Sequence, residues 1–319
     1  MTKRTAVKGK GAAKPREGLN PRQPCPCGSG RRYKACHGAS GGPAEVRVTR
    51  PFAGLAGETE LIALREFVPS ATVSLPLAVA AEREITLGTV LPMAAAALVR
   101  SDGRAFVGLQ VQTQSTDVSR DLVRAVRWAL EARPGDVLSV LPADPDEPEK
   151  AEKLTELLAD QSLTPELHAD FGWWMPEDAA EPTGEVALSL ERANAAILPT
   201  DRLREVTAAY WVDAGERAHL RWVRPEPEEE LLAALARLSA RGELELGENS
   251  RFAGSFRAHG LLVPVWDLDR EMHAREWDAP AAAFDAKLTE AVASLAAEPP
   301  TEAERRARDG LRGRQVTLR

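Results

Sequence analysis

All three cysteines of this 319-residue chain fall between positions 25 and 36, and a histidine directly follows the last of them. Cys25, Cys27, Cys36 and His37 supply three thiols and one imidazole, a complete tetrahedral set for zinc that leaves no open position for a substrate. Cys25 and Cys27 flank a single proline, so both sulfurs reach one ion only if the chain turns at once. Gly28-Ser29-Gly30 supplies that turn. Residues 31–35 then span about one helical turn and return Cys36 and His37 to the metal. Arg31, Arg32 and Lys34 offset the surplus charge of three thiolates and lower the thiol pKa values. So small a unit has no core of its own, and metal binding is its folding energy. A disulfide would leave one thiol unpaired, and no signal for secretion accompanies it.

The run Pro24-Cys25-Pro26-Cys27-Gly28-Ser29-Gly30, the basic Tyr33-Lys34 step and the closing Cys36-His37 resemble the SEC-C motif. That zinc module ends the SecA protein-translocation motor and also occurs as an appendage on other bacterial proteins. The resemblance implies zinc ligation by Cys25, Cys27, Cys36 and His37, and contacts with a chaperone or the ribosome. The motor itself is not implied. No Gly-x4-Gly-Lys-Ser/Thr phosphate loop occurs, and the one Gly-Lys pair, Gly9-Lys10, runs into Gly11. Beyond the motif, the chain resembles an uncharacterised body family of high-GC bacteria.

The net charge of −7 is unevenly spread. Residues 1–38 hold ten basic side chains against Glu17 alone, +9, which leaves −16 for the remainder. A basic arm on an acidic body fits an acidic partner, or equally a solubilising tail that docks on its own body. Hydrophobic residues at 44% and charged residues at 28% are ordinary globular values. No apolar run is long enough for a membrane span, and the basic N-terminus is not followed by the apolar stretch of a signal peptide. The expected location is the cytoplasm.

Residues 1–23, almost without large apolar side chains, are expected to be a disordered basic tail. The knuckle occupies 24–38 and a Gly/Ser/Pro linker 39–44. An α+β body of mainly antiparallel strands and packed helices is expected over 45–300, with an internal boundary near the Pro/Asp/Glu stretch 142–150 and a basic C-terminal tail over 301–319. Hairpins are expected around Ser101-Asp102-Gly103, Asp213-Ala214-Gly215 and His259-Gly260. Helices are expected near 61–67 and over 117–132, 151–160, 186–197, 227–241 and 281–296, with strands over 72–77, 84–90 and 166–175. Residues 94–131 and 208–240 both read as hairpin then helix. They are either two related halves or two uses of a common unit.

Candidate chemistry in the body is sparse. His168 and Asp170, two residues apart on an expected strand, would share a face. Asp267, Asp269, Glu271 and His273 cluster after another strand, and Arg257 and His259 flank a hairpin tip. None has a defining spacing, and loop acids are normally solvated. Trp173, Trp174, Trp211, Trp222 and Trp266 on expected strands are either core or an aromatic binding face. Arg305, Arg306, Arg308, Arg312 and Arg314 could meet phosphates or form a solvated stripe. The sequence therefore implies no catalytic residue, and a non-enzymatic adaptor whose zinc knuckle and basic arm recruit an acidic partner. The rival is an enzyme with its site on the body and the knuckle as a targeting tag.

Overall fold

Three short turns set the strand pairing, and each joins two strands where turn residues stand. Around Asp102-Gly103, β3 (Ala97–Val99) meets β4 (Ala105–Gly108), and Asp102 Oδ1 accepts the Arg104 N–H at 3.1 Å. Around Ala214-Gly215, β8 (Ala209–Asp213) meets β9 (Ala218–Trp222), with the Gly215 N–H donated to Asp213 at 2.8 Å. At the third, between β10 (Ser250–Ala258) and β11 (Leu261–Leu268), His259 and Gly260 have φ of 45° and 83°. Two consecutive positive φ values are the type I′ pattern whose twist matches paired strands. A Cβ on Gly260 would stand 3.0 Å from Arg50 Cβ, so this tip also needs glycine for close approach.

The computed structural model describes Arg32 and residues 48–317, except 79, 143–150, 177, 178 and 180. Met1–Val48 and Thr49–Arg319 form separate units. In the second unit the remaining strands are β1 (Ala71–Ser74), β2 (Ile85–Gly88), β5 (Val137–Leu138), β6 (Glu166–Leu167), β7 (Thr200–Arg202) and β12 (Gln315–Thr317). They complete two six-stranded sheets, ordered β5-β3-β4-β2-β1-β6 and β12-β10-β11-β9-β8-β7. Among the described residues only β2/β4 and β10/β12 are parallel. The helices are α1 (Glu58–Glu66), α2 (Val118–Glu131), α3 (Leu154–Leu157), α4 (Gly184–Ala195), α5 (Glu228–Arg241), α6 (Asp278–Ser294) and α7 (Glu302–Arg312). The body is α+β.

Local chemistry fixes the helix ends. Asp117 caps α2, accepting the Ser119 and Arg120 N–H groups, and Pro134 stands just past its end. α5 opens on three glutamates, favourable at the positive end of the dipole, and closes on Gly242 at φ 73°. The second sheet is covered on both sides. Tyr210, Val223 and Val263 join the first sheet, α1 and α2 in one core; Trp222, Trp266 and Leu262 face α5, α6 and α7 in another. This is the period-2 alternation of strands buried on both faces. Every residue of α1 from Glu58 to Leu64 is buried.

Several expectations need correction. Residues 166–175 are not one strand: β6 ends at Leu167, and Trp173 and Trp174 lie in a 3-10 turn, Gly172–Trp174. The helix expected over 151–160 is the single turn of α3, because Leu158 leaves it to bridge Leu77. Residues 301–319 include α7, capped by Thr301, and β12. Of the 142–150 boundary, 143–150 lie outside the described residues; β6, beyond it, pairs with β1, so the first sheet gives way to the second between Leu167 and Thr200. Hairpin then helix does occur twice, as β3-β4-α2 and β8-β9-α5. The wiring differs: β4 pairs next with the earlier, parallel β2, and β9 with the later, antiparallel β11.

Candidate functional site

Cys25, Cys27, Cys36 and His37 lie outside the described residues. Among the described residues no group of three or more His, Cys, Asp or Glu side chains could hold a metal ion.

The candidates in the body separate when the chain folds. His168 Nε2 lies 2.7 Å from Thr72 Oγ1 and its ring tilts against Trp173, whereas Asp170 accepts the Gly172 N–H at 2.7 Å. The strand that would have aligned them has already ended. Asp267 remains on β11, but Asp269 closes a turn with the Glu271 N–H, and His273 caps the 3-10 turn Ala274–Trp277 and stacks on Trp211. Arg257 pairs with Glu228, and His259 Nε2 lies 2.7 Å from Glu66 on α1. Trp222, Trp266 and Trp277 are each 1% exposed and pack the second core. The arginines of α7 are engaged within the fold: Arg308 and Arg312 on Glu229, Arg306 on Glu302, and Arg305 on the Pro300 carbonyl.

Two polar arrangements are absent from the sequence reading. The first is buried at the join of α1 and the second sheet. Glu60, 1% exposed, accepts from Arg202 at 2.7 and 3.0 Å, from the Ala208 N–H at 3.0 Å and from the Tyr210 hydroxyl. Ala208 has φ 53°, a strained conformation for a residue with a Cβ, and its N–H is aimed at the carboxylate. Burial, with Glu60's negative charge, pushes the Tyr210 hydroxyl well above its ordinary pKa.

The second arrangement is the face of the second sheet that Tyr210 shares. Register places Arg202, Tyr210, Arg221 and Val265 in one row, and Val212, His219, Asp267 and Arg251 in the next. Cross-strand partners point to the same side, so these two rows bring Arg202, Tyr210, Arg221, His219, Asp267 and Arg251 to one side of the sheet, with Val212 and Val265 between them. Asp267 accepts from Arg251 at 2.8 Å and Arg217 at 3.1 Å. His219 Nδ1 lies 3.2 Å away, within ion-pair reach but off the line of a hydrogen bond. Burial works to raise the Asp267 pKa; the Arg251 hydrogen bond and the charges of His219, Arg251 and Arg217 outweigh it and hold the carboxyl below its ordinary value. The only sequence signal here was the alternation Ala218-His219-Leu220-Arg221-Trp222, which reads as an ordinary half-exposed strand.

A separate cleft of about 350 Å³ runs between the start of α1 and α6, lined by Glu58, Thr59, Ser162, Thr207, Arg224 and Asp285. Its charges are mutually satisfied. Arg224 lies over Trp222 and reaches Glu226 and Asp285, and Arg50 takes Glu58 in a two-point pair at 2.6 and 2.7 Å.

The fold and motif together define an α+β body carried behind a SEC-C motif, which matches over residues 22–39. Residues 51–319 match the model described as a family of unknown function (DUF5926), and the chain belongs to that family. Comparison with curated proteins and with solved structures gave no match.

Proposed function

We propose that the chain is a zinc-dependent adaptor, in which the SEC-C knuckle and its basic arm recruit an acidic partner and the α+β body carries a second interaction. The observation behind this reading is the SEC-C match on a segment whose donors are three thiols and one imidazole, with charge +9 over residues 1–38 beside −16 in the rest. That donor set suits zinc and closes its coordination, which makes the ion structural. Cys25, Cys27, Cys36 and His37 would hold it, and the ordered knuckle would present Tyr33 and the flanking cations to the partner. By resemblance to the SecA module, that partner is a chaperone or the ribosome, in the cytoplasm.

Elemental analysis of the purified full chain tests the metal. One zinc per chain is expected, absent from a Cys25→Ser/Cys27→Ser variant, and equal zinc in both sinks the ligand assignment. Pull-down with the intact chain and with residues 1–38 deleted tests recruitment: partner capture should disappear with the deletion.

A further inference from the structure

Arg221 is the observation that no part of the adaptor reading uses. It stands mid-strand in β9, between Tyr210 and Val265 in register, with its guanidinium carbon 5.8 Å from the centre of the Phe67 ring. Phe67 in turn meets Tyr210 and Phe256 edge-on, at 5.9 and 6.2 Å. Arg221 is partly buried there, yet among the described residues no carboxylate or carbonyl accepts from it. Two carboxylates on this face are already engaged: Glu60 by Arg202, Ala208 and Tyr210, and Asp267 by Arg217 and Arg251. Arg202, one strand beyond Tyr210 in the same row, shows the contrasting case of a cation with its own buried counter-ion.

A charge partly withdrawn from water onto an aromatic face, with no anion to meet it, costs stability, and an apolar side chain of the same length would hold this strand better. Burial alone accounts for the shift of the Arg221 guanidinium below its ordinary pKa. Such a cation becomes favourable when an anion arrives.

The geometry points to a carboxylate-binding site on this face, with Arg221 taking the carboxylate, His219 two residues along the strand as a second donor, and Phe67, Phe256 and Val265 as an apolar wall. The ligand is a small monocarboxylic acid with an apolar or aromatic body. A single guanidinium without a carboxylate of its own matches a single negative charge. A phosphate dianion would bring twice the charge toward Asp267, and toward Glu216, Asp269 and Glu271 at the neighbouring strand ends, and so be repelled more strongly than a monocarboxylate. The planar two-point fork of arginine suits a carboxylate in particular.

Phenylacetate is the probe, with phenylacetamide as its uncharged counterpart and inorganic phosphate as the dianion, all on the full chain at fixed ionic strength. Phenylacetate should raise the melting temperature saturably. At ten times its dissociation constant the folded-to-unfolded ratio rises about elevenfold, a shift of about 2–3 °C in a chain this size. Phenylacetamide and phosphate should give none. Arg221→Met should abolish the shift while melting at or above the wild-type temperature without ligand. Arg221→Lys, which keeps the charge and loses the fork, should melt as the wild type does and bind phenylacetate more weakly. No phenylacetate shift in the wild type overturns the proposal, as does an equal shift in Arg221→Lys, or a larger shift with phosphate. A lowered melting temperature in Arg221→Met marks the arginine as a structural partner of Phe67 and also overturns it. None of these readouts involves residues 1–38, so the adaptor reading can fail or stand independently.

Discussion

Glu60 ties α1 to three different points of the second sheet, and its removal should be felt across the body. Glu60→Ala leaves the partly buried Arg202 without its counter-ion and the Ala208 N–H and Tyr210 hydroxyl without an acceptor. The expected loss is about 3–5 kcal/mol, read from the urea midpoint. Tyr210→Phe removes one hydrogen bond to a charged group and should cost about 1.5–3 kcal/mol. The same pair predicts an alkaline limb. The folded state holds the Tyr210 proton above the ordinary value of about 10, so stability is full below pH 10 and declines as the unfolded tyrosine ionises above it. Tyr210→Phe should flatten that decline, and an unchanged limb would remove the tyrosine from the account. None of this was legible in the sequence. Glu60 sits in a first helical turn, where an acid reads as a dipole partner, and its partners are 142 to 150 residues away. His168 and Asp170 misled for the opposite reason: their spacing had meaning only on a strand, and the strand stops one residue short. Arg221 looked like any outward residue of an alternating strand, because only the fold brings Phe67 over it.

Elements bounded by local chemistry were legible, and those made by pairing were not. The three hairpins, the Asp117 cap of α2 and the amphipathic α5 each carry their signal within a few residues. β5 and β7, two and three residues long, exist only because a neighbouring strand offers hydrogen bonds. α7 was hidden by composition, since Arg305, Arg306, Arg308 and Arg312 read as a basic tail. What makes it part of the body is one buried pair. Arg237 of α5, 1% exposed, donates to Glu304 at 2.9 Å and to the Glu298 carbonyl at 2.8 Å, beside buried Leu311. Glu304→Ala should therefore cost about 3–5 kcal/mol, whereas Arg237→Met with Glu304→Leu together should cost far less, since no charge is left alone. The Glu304 carboxyl is held below its ordinary pKa: burial works to raise it, and the Thr301 N–H and Arg237 outweigh that. Its contribution is thus present above about pH 4.5 and lost as pH falls through the lowered value. Urea midpoints between pH 7 and pH 3 should show an acid limb that Glu304→Gln reduces; an identical limb in the variant would refute the assignment.

At the scale of the whole molecule the sequence showed a division of labour more clearly than it showed the body. The three cysteines and the net basic charge are concentrated before residue 39, while the apolar cores belong to Thr49–Arg319. If the metal's binding energy is the folding energy of the knuckle alone, chelation should leave the melting temperature of the body unchanged while abolishing partner capture. A large fall in melting temperature would tie the body's stability to zinc and weaken the recruiting-arm reading. The identity of the partner follows from salt. Each phosphate neutralised by the arm releases condensed counterions, so binding to ribosomal RNA through about 6–10 contacts should weaken about 10³–10⁵-fold between 50 and 200 mM salt. An acidic chaperone has no condensed counterion layer, and screening alone gives a shallower dependence. Co-sedimentation with ribosomes across that series, using the full chain, the chelated chain and the chain lacking residues 1–38, separates these outcomes. Steep salt sensitivity in the full chain, with loss of binding in the other two, is the expected result. The body at −16 should not bind phosphates unaided. Ribosome binding that survives the deletion would move the contact to the body and defeat the adaptor arm.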